Sequence, residues 1–181
     1  MLQIPVTVVP EGWDEKKQEF VEPKIQILQL EHSLVSVRKW ESKWCKAFLS
    51  TKEKTIEETI DYIKCMTLTQ NVNPEVYNYL TKKHIEQIND YISAPMTATY
   101  FNEEKTPGRK QDVVTAELIY YWMISLQIPF ECQKWHLNQL MALIKVCNIK
   151  NAPPKKMSRQ AMASRNAALN EARRRQWGTN G

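Results

Sequence analysis

Apolar positions along this chain change their period once, from alternation near the start to helical spacing afterwards. Residues 2–9 carry β-branched side chains at Ile4, Val6, Val8 and Val9, and residues 20–30 place Ile25, Ile27, Leu28 and Leu30 in a second extended run. Such runs predict strands, and Gly12 with the charged residues 14–17 predicts a turn between them. Either a β-hairpin or two strand-like segments results. Two strands alone are marginal, so they must pack on helices or meet another chain, and the four apolar residues of the second run are candidates to face a partner.

From Leu34 onward the spacing becomes helical. Leu34, Val37, Trp40, Trp44, Phe48 and Leu49 predict a short helix with an aromatic side. Thr55 and Glu58 have the spacing of a capping box, ahead of a helix to about Met66 with Ile56, Ile60 and Ile63 along one side. Asn73-Pro74-Glu75 predicts the start of a single helix carrying Val76, Leu80, His84, Ile88, Tyr91 and Ile92, stopped at Ala94-Pro95. Residues 96–111 read as a loop. Asp112 is the expected cap of a very apolar helix from Val113 to about Leu126, expected to be the most buried element. A further helix, from about Glu131 to Ile149, would align Trp135, Leu140, Leu143, Ile144 and Cys147. Asn151-Ala152-Pro153-Pro154 reads as a linker, after which Ser158 begins an alanine-rich helix to about Arg175.

The predicted fold is therefore mainly α. Residues 1–150 form a compact helical body with strands at about 2–9 and 20–30, and residues 151–181 form a Pro-Pro linker and a basic helical tail. With 181 residues, one domain is the default, and 43% apolar residues with six Trp and seven Tyr suffice for a core. Only four glycines are present, and neither phosphate-binding glycine motif occurs. The stretch 113–128 is too short and too polar for a membrane span. No signal peptide is visible at the start. These features lead to the expectation of a soluble, reducing, intracellular setting without membrane contact.

Charge changes the picture most. Of 25 Lys/Arg and 20 Asp/Glu, eight basic residues and one acid, Glu171, lie from Lys150 onward, leaving 17 and 19 before it. A nearly neutral body thus carries a strongly basic end: Lys150, Lys155, Lys156, Arg159, Arg165, Arg173, Arg174 and Arg175. These cations suit an acidic protein surface, where charge steers encounter, nucleic-acid phosphates bound without sequence reading, or an end that serves only to solubilise the chain. Trp177 adds an aromatic anchor to the same end.

Candidate chemistry is sparse. Cys45, Cys65, Cys132 and Cys147 are separated by 20, 67 and 15 residues, matching no zinc spacing, and are expected to be small buried apolar residues. Cys132 and His136 are four apart and would face the same way from one helix, but no further metal ligands accompany them. His32 and His84 have no adjacent carboxylate or cysteine motif. The pairs Glu57/Asp61 and Glu86/Asp90 read as solvated helix faces rather than acid–base pairs. No catalytic signature occurs, so neither an enzyme nor a cofactor is expected.

Several local phrases resemble small proteins of tailed bacteriophages, from the region encoding tail assembly chaperones. They are Arg38-Lys39-Trp40-Glu41-Ser42-Lys43-Trp44, Tyr62-Ile63-Lys64-Cys65-Met66, Pro95-Met96-Thr97-Ala98-Thr99, Trp135-His136-Leu137-Asn138 and Leu169-Asn170-Glu171-Ala172-Arg173-Arg174. Together they span about residues 34–177. The resemblance implies a mostly helical, non-enzymatic helper in the host cytoplasm that engages tape-measure or tail-tube protein before the tube assembles. It carries over no catalytic or ligand-binding residue. On this reading Trp40, Trp44, Trp122 and Trp135 are candidate groove residues, with a place in the core as the alternative for each, and Trp177 with the basic tail would contact the partner. Self-association through the strands is a further expectation. Competing readings are a nucleic-acid-binding accessory protein and a structural virion connector or tail component.

Overall fold

Antiparallel pairing of β1 (Leu2–Val9) with β4 (Lys24–Leu30) opens the fold of this chain, whose computed structural model describes residues 1–9, 12–14, 19–51, 53–101, 113–153 and 158–178. The register joins Ile4 to Leu28 and Leu2 to Leu30 on the inner face, where Ile4, Val6, Leu28 and Leu30 are buried. On the opposite face Pro5 meets Ile27 and Thr7 meets Ile25, and both isoleucines are more than half exposed. Of the four residues expected to face a partner, Leu28 and Leu30 are therefore core residues, because strand alternation sends them inward. The second predicted strand is also divided. A short β3 (Glu19–Val21) pairs with β2 (Gly12–Asp14) as a separate small ladder, and the residues of the predicted turn, 15–18, lie outside the described ones.

The outer edge of β4 is closed by the segment 66–69. Glu31 donates its N–H to the Met66 carbonyl and Leu68 donates to Gln29, at 2.9 and 2.8 Å. The Thr69 hydroxyl then accepts from the Gln29 N–H at 2.8 Å and donates to the Ile27 carbonyl at 3.3 Å. A side chain here does the work of a strand backbone.

Among the described residues five α-helices begin in the first of two compact units, Met1–Asn148. Helix α1 (Leu34–Trp44) is capped by Ser33 and ends at Cys45 in the left-handed conformation, φ 51°. Helix α2 (Ile56–Met66) has the expected capping box. The Thr55 hydroxyl accepts from the Glu58 N–H at 3.2 Å, and the Glu58 carboxylate accepts from the Thr55 N–H at 2.8 Å. The single helix expected after Asn73 is two elements, a 3₁₀ turn at Pro74–Tyr79 and α3 (Lys82–Ser93). The chain breaks at Leu80 because Thr81 founds a second capping box with His84, which stops the first element from continuing.

Helix α4 (Ala116–Ser125) begins three residues later than expected, capped by Thr115, while the expected cap Asp112 lies outside the described residues. It is not the most buried helix. Ala116, Ile119 and Met123 face inward, whereas Tyr121 and Ile124 are each more than 60% exposed. The next predicted helix also divides, into a 3₁₀ turn at Phe130–Lys134 and α5 (Leu137–Asn151). Between them His136 forms an isolated bridge with Ser33, and Leu137 donates to the His32 carbonyl at 2.7 Å. Cys132 and His136 consequently do not share a helix.

The core gathers on α1 and α2. Phe48 stacks on Tyr62 with centroids 4.0 Å apart, and Trp40 meets Phe48 edge-on at 5.2 Å. Geometries of this kind add about 0.5–1.5 kcal/mol per pair beyond area burial. The second unit, Ile149–Gly181, is dominated by α6 (Arg159–Trp177). Among the described residues no helix is long and apolar enough to cross a membrane.

Candidate partner-binding surfaces

The basic tail forms the helix predicted for it. Ser158 caps α6, its hydroxyl accepting the Ala161 N–H at 3.1 Å, and Gly178 closes it at φ 64° with its N–H on the Arg174 carbonyl. None of its residues is buried. Arg159, Arg165, Arg173, Arg174 and Arg175 all lie on it, and Arg175 pairs with Glu171 one turn away at 2.5 Å. Lys155 and Lys156 lie outside the described residues. Met162, Leu169 and Trp177 are spaced by seven and eight residues, so they fall on one broad side of the helix, and each remains about half or more exposed. Arg165 and Arg173 are interleaved with them along that side.

The tryptophans do not form one groove. Trp40 is wholly buried and donates its indole N–H to the Glu58 carbonyl at 2.9 Å, so it is a core residue and not a surface contact. Trp44 stacks beside it, half-buried, and donates to the Asp61 carboxylate at 3.0 Å. Lys43 pairs with the same carboxylate, and Lys46 pairs with Glu58. Burial pushes the Asp61 carboxyl up, but the hydrogen bonds from Lys43 and Trp44 outweigh it and leave the group below its ordinary value. Glu58 is lowered by Lys46 and by the Thr55 N–H. Asp61 is thus part of a buried framework, not the solvated face read from its spacing with Glu57. The Glu86/Asp90 pair is exposed as expected.

Trp122 belongs to a different place, an apolar cavity of about 470 Å³ with Pro95, Phe101, Met141 and Ile144. Trp135 follows the second 3₁₀ turn and is 41% exposed. Cys132 is buried as expected, Cys65 and Cys147 are partly buried, and Cys45 is exposed because it occupies the left-handed end of α1.

A second cleft, of about 480 Å³, runs between α2 and α3 and was not expected from sequence. Ile56 and Ile60 line one side, and Tyr77, Leu80 and Ile85 line the other. It shares Lys54, Thr59 and Ile85 with a smaller hollow of about 180 Å³ floored by Phe48, Ile63 and Ile88. The Lys54 ammonium lies 4.2 Å from the Phe48 ring centroid and donates to the Thr51 carbonyl at 2.9 Å. No signal short of the α2–α3 packing would have paired residues 54–60 with 77–85.

Sequence reasoning also missed a buried histidine pair. His32 and His136 meet edge-on with centroids 5.1 Å apart. His32 Nδ1 shares a hydrogen bond with the Tyr62 hydroxyl. His136 Nε2 donates to the Tyr91 carbonyl at 3.0 Å, and its Nδ1 accepts the Asn138 N–H at 3.3 Å. Burial, and then His136, push His32 down to about 3, and burial lowers His136 as well. Both rings are neutral structural links. His84 is a helix cap. Among the described residues no group of three or more His, Cys, Asp or Glu is arranged to hold a metal.

No protein-family model, curated protein or solved structure matches the chain.

Proposed function

We propose that this protein is a non-enzymatic tail assembly chaperone of a tailed bacteriophage, binding tape-measure or tail-tube protein in the host cytoplasm during morphogenesis. The observation that carries this reading is α6. It is a helix of 19 residues, capped at both ends, with five arginines and with Met162, Leu169 and Trp177 left in water. Helices that bury nothing are marginal, since most helical stability in proteins comes from packing an apolar side. A partner helix of complementary charge would supply that packing. The phage-like phrases between residues 34 and 177 support a phage tail protein as that partner.

The test is affinity co-purification of the full chain and of a 1–152 truncation from cells expressing the neighbouring gene products, with nuclease, at low and high salt. Recovery of a long helical phage protein that survives nuclease and weakens on truncation is expected. Recovery of nucleic acid alone, lost at high salt and on truncation, would replace the chaperone with the phosphate-binding reading that the same arginines favour. Stoichiometric retention in purified particles would replace it with a structural virion component.

A further inference from the structure

The cleft between α2 and α3 has the build of a recognition groove, and its one charged lining residue says what should enter it. The aliphatic side chains stand at helical spacing on both walls: Ile56 and Ile60 on α2, Ile85 on α3, with Ile88 continuing into the inner hollow. Ile56, at the rim, is 80% exposed. The volume lies within the roughly 300–1,000 Å³ typical of ligand clefts. Rows of this kind receive the i, i+3, i+4 and i+7 side chains of an amphipathic helix.

Lys54 lies where the cleft meets the hollow, and of the residues lining either it alone is charged. The carboxylate of Glu58 acts on Lys54 through space, but both its oxygens are already engaged. Glu58 accepts from Lys46 with one oxygen and from the Thr55 N–H with the other. Lys54 is left on a backbone carbonyl and the face of Phe48, and burial draws its pKa down. A partly desolvated cation whose neighbouring carboxylate acts only from beyond salt-bridge distance favours an incoming carboxylate. By charge, α6 with its five arginines and one glutamate complements Lys54 less well than an acidic helix does.

We propose that the α2–α3 cleft docks an amphipathic helix of a partner protein, with a carboxylate of that helix on Lys54 and its aliphatic side chains against Ile56, Ile60 and Ile85. That the partner is a phage tail protein rests on the function proposed above; the cleft and its preference for an acidic helix do not.

The experiment titrates the ¹⁵N-labelled full chain with a capped synthetic peptide carrying Leu at i, i+4 and i+7 and one Glu beside them, and with its Gln twin. Amide shifts should concentrate at residues 54–60 and 77–92, and the Gln peptide should bind about 5- to 10-fold more weakly. Lys54→Met should erase that difference, and Lys54→Glu should reverse it in favour of a Lys twin. Ile56→Glu, at an exposed position compatible with folding, should weaken every peptide. Equal binding of the Glu and Gln peptides to the wild-type chain, or shifts confined to the Trp122 cavity, would overturn the proposal. The co-purification repeated with Lys54→Glu separates the two readings. Undiminished capture of a tail protein would sink the groove and leave the chaperone standing. Peptide binding at the cleft without any tail-protein capture would keep the groove and remove the chaperone.

Discussion

The two units of this molecule treat charge in opposite ways. In Met1–Asn148, Glu41, Glu58 and Asp61 are buried, and every one of them is held by donors from another segment of the chain. In the tail, the arginines of α6 stand in water on a helix with no buried residue. Buried charge in the body is architecture, since a carboxylate removed from water is tolerated only when its acceptors are filled. Exposed charge in the tail, at Arg159, Arg173 and Arg174 for example, stands where another molecule can reach it. A net charge of +5 therefore describes neither unit.

The strongest way to break the contrast is to empty one of the body's carboxylates. Glu41 accepts the Phe48 N–H at 2.8 Å and the Ala116 N–H at 2.7 Å, tying α1 to the segment after it and to the first turn of α4. Glu41→Ala should leave two buried donors without partners, at about 1–3 kcal/mol each, so urea unfolding should show a loss of about 2–6 kcal/mol. A loss below 1 kcal/mol would mean that these bonds do not organise the body.

Acid should act on the body next. His32 is held near 3 when folded against an ordinary value of 6.5, so the unfolded chain takes up a proton that the folded chain refuses. Stability is therefore complete above about pH 6.5 and falls as the pH drops toward 3, with a loss of about 2–3 kcal/mol at pH 4.5 from this group. His136, shifted the same way, adds to it. Asp61 contributes only at lower pH, because a depressed carboxylate keeps its stabilising effect until the pH falls below about 4. Urea midpoints at pH 7 and 4.5 check this, and His32→Gln should flatten the difference while lowering the starting stability. A wild-type midpoint unchanged between those pH values would refute the neutral histidine link.

The smallest expected effect sharpens the comparison from the other side. Reversing Arg173, Arg174 and Arg175 to Glu should change urea stability by less than about 0.5 kcal/mol, as exposed substitutions usually do. The same variant should lose most of its partner capture. A large stability loss would show that α6 belongs to the folded framework after all.

Legibility in the sequence followed the range of the interactions. Local chemistry was readable: the Thr55–Glu58 box, the Asn73 cap and the Ser158 cap are all present, since each involves residues within one turn. The division at Leu80 went unread because His84, rather than the usual Glu or Gln, completes the second box. The histidine pair, the Lys54 cleft and the burial of Asp61 were invisible for a different reason. Their partners lie far along the chain, and only packing of α1, α2, α3 and the start of α5 joins them. Periodicity also overstated α4, whose apolar residues run around the helix instead of along one side.

Closure of the β4 edge by residues 66–69 has a consequence for how this protein behaves when crowded. A two-stranded sheet with both flanks open can add strands in either direction, which is how fibres elongate. Here the hydroxyl of Thr69 and the backbone of Leu68 already fill the flank beside Gln29 and Ile27. Extension is confined to the β1 side, where Pro5 lacks an N–H to offer. The β1–β4 pair can therefore end a stack but not continue one, so high concentrations would not draw this chain into sheet polymers.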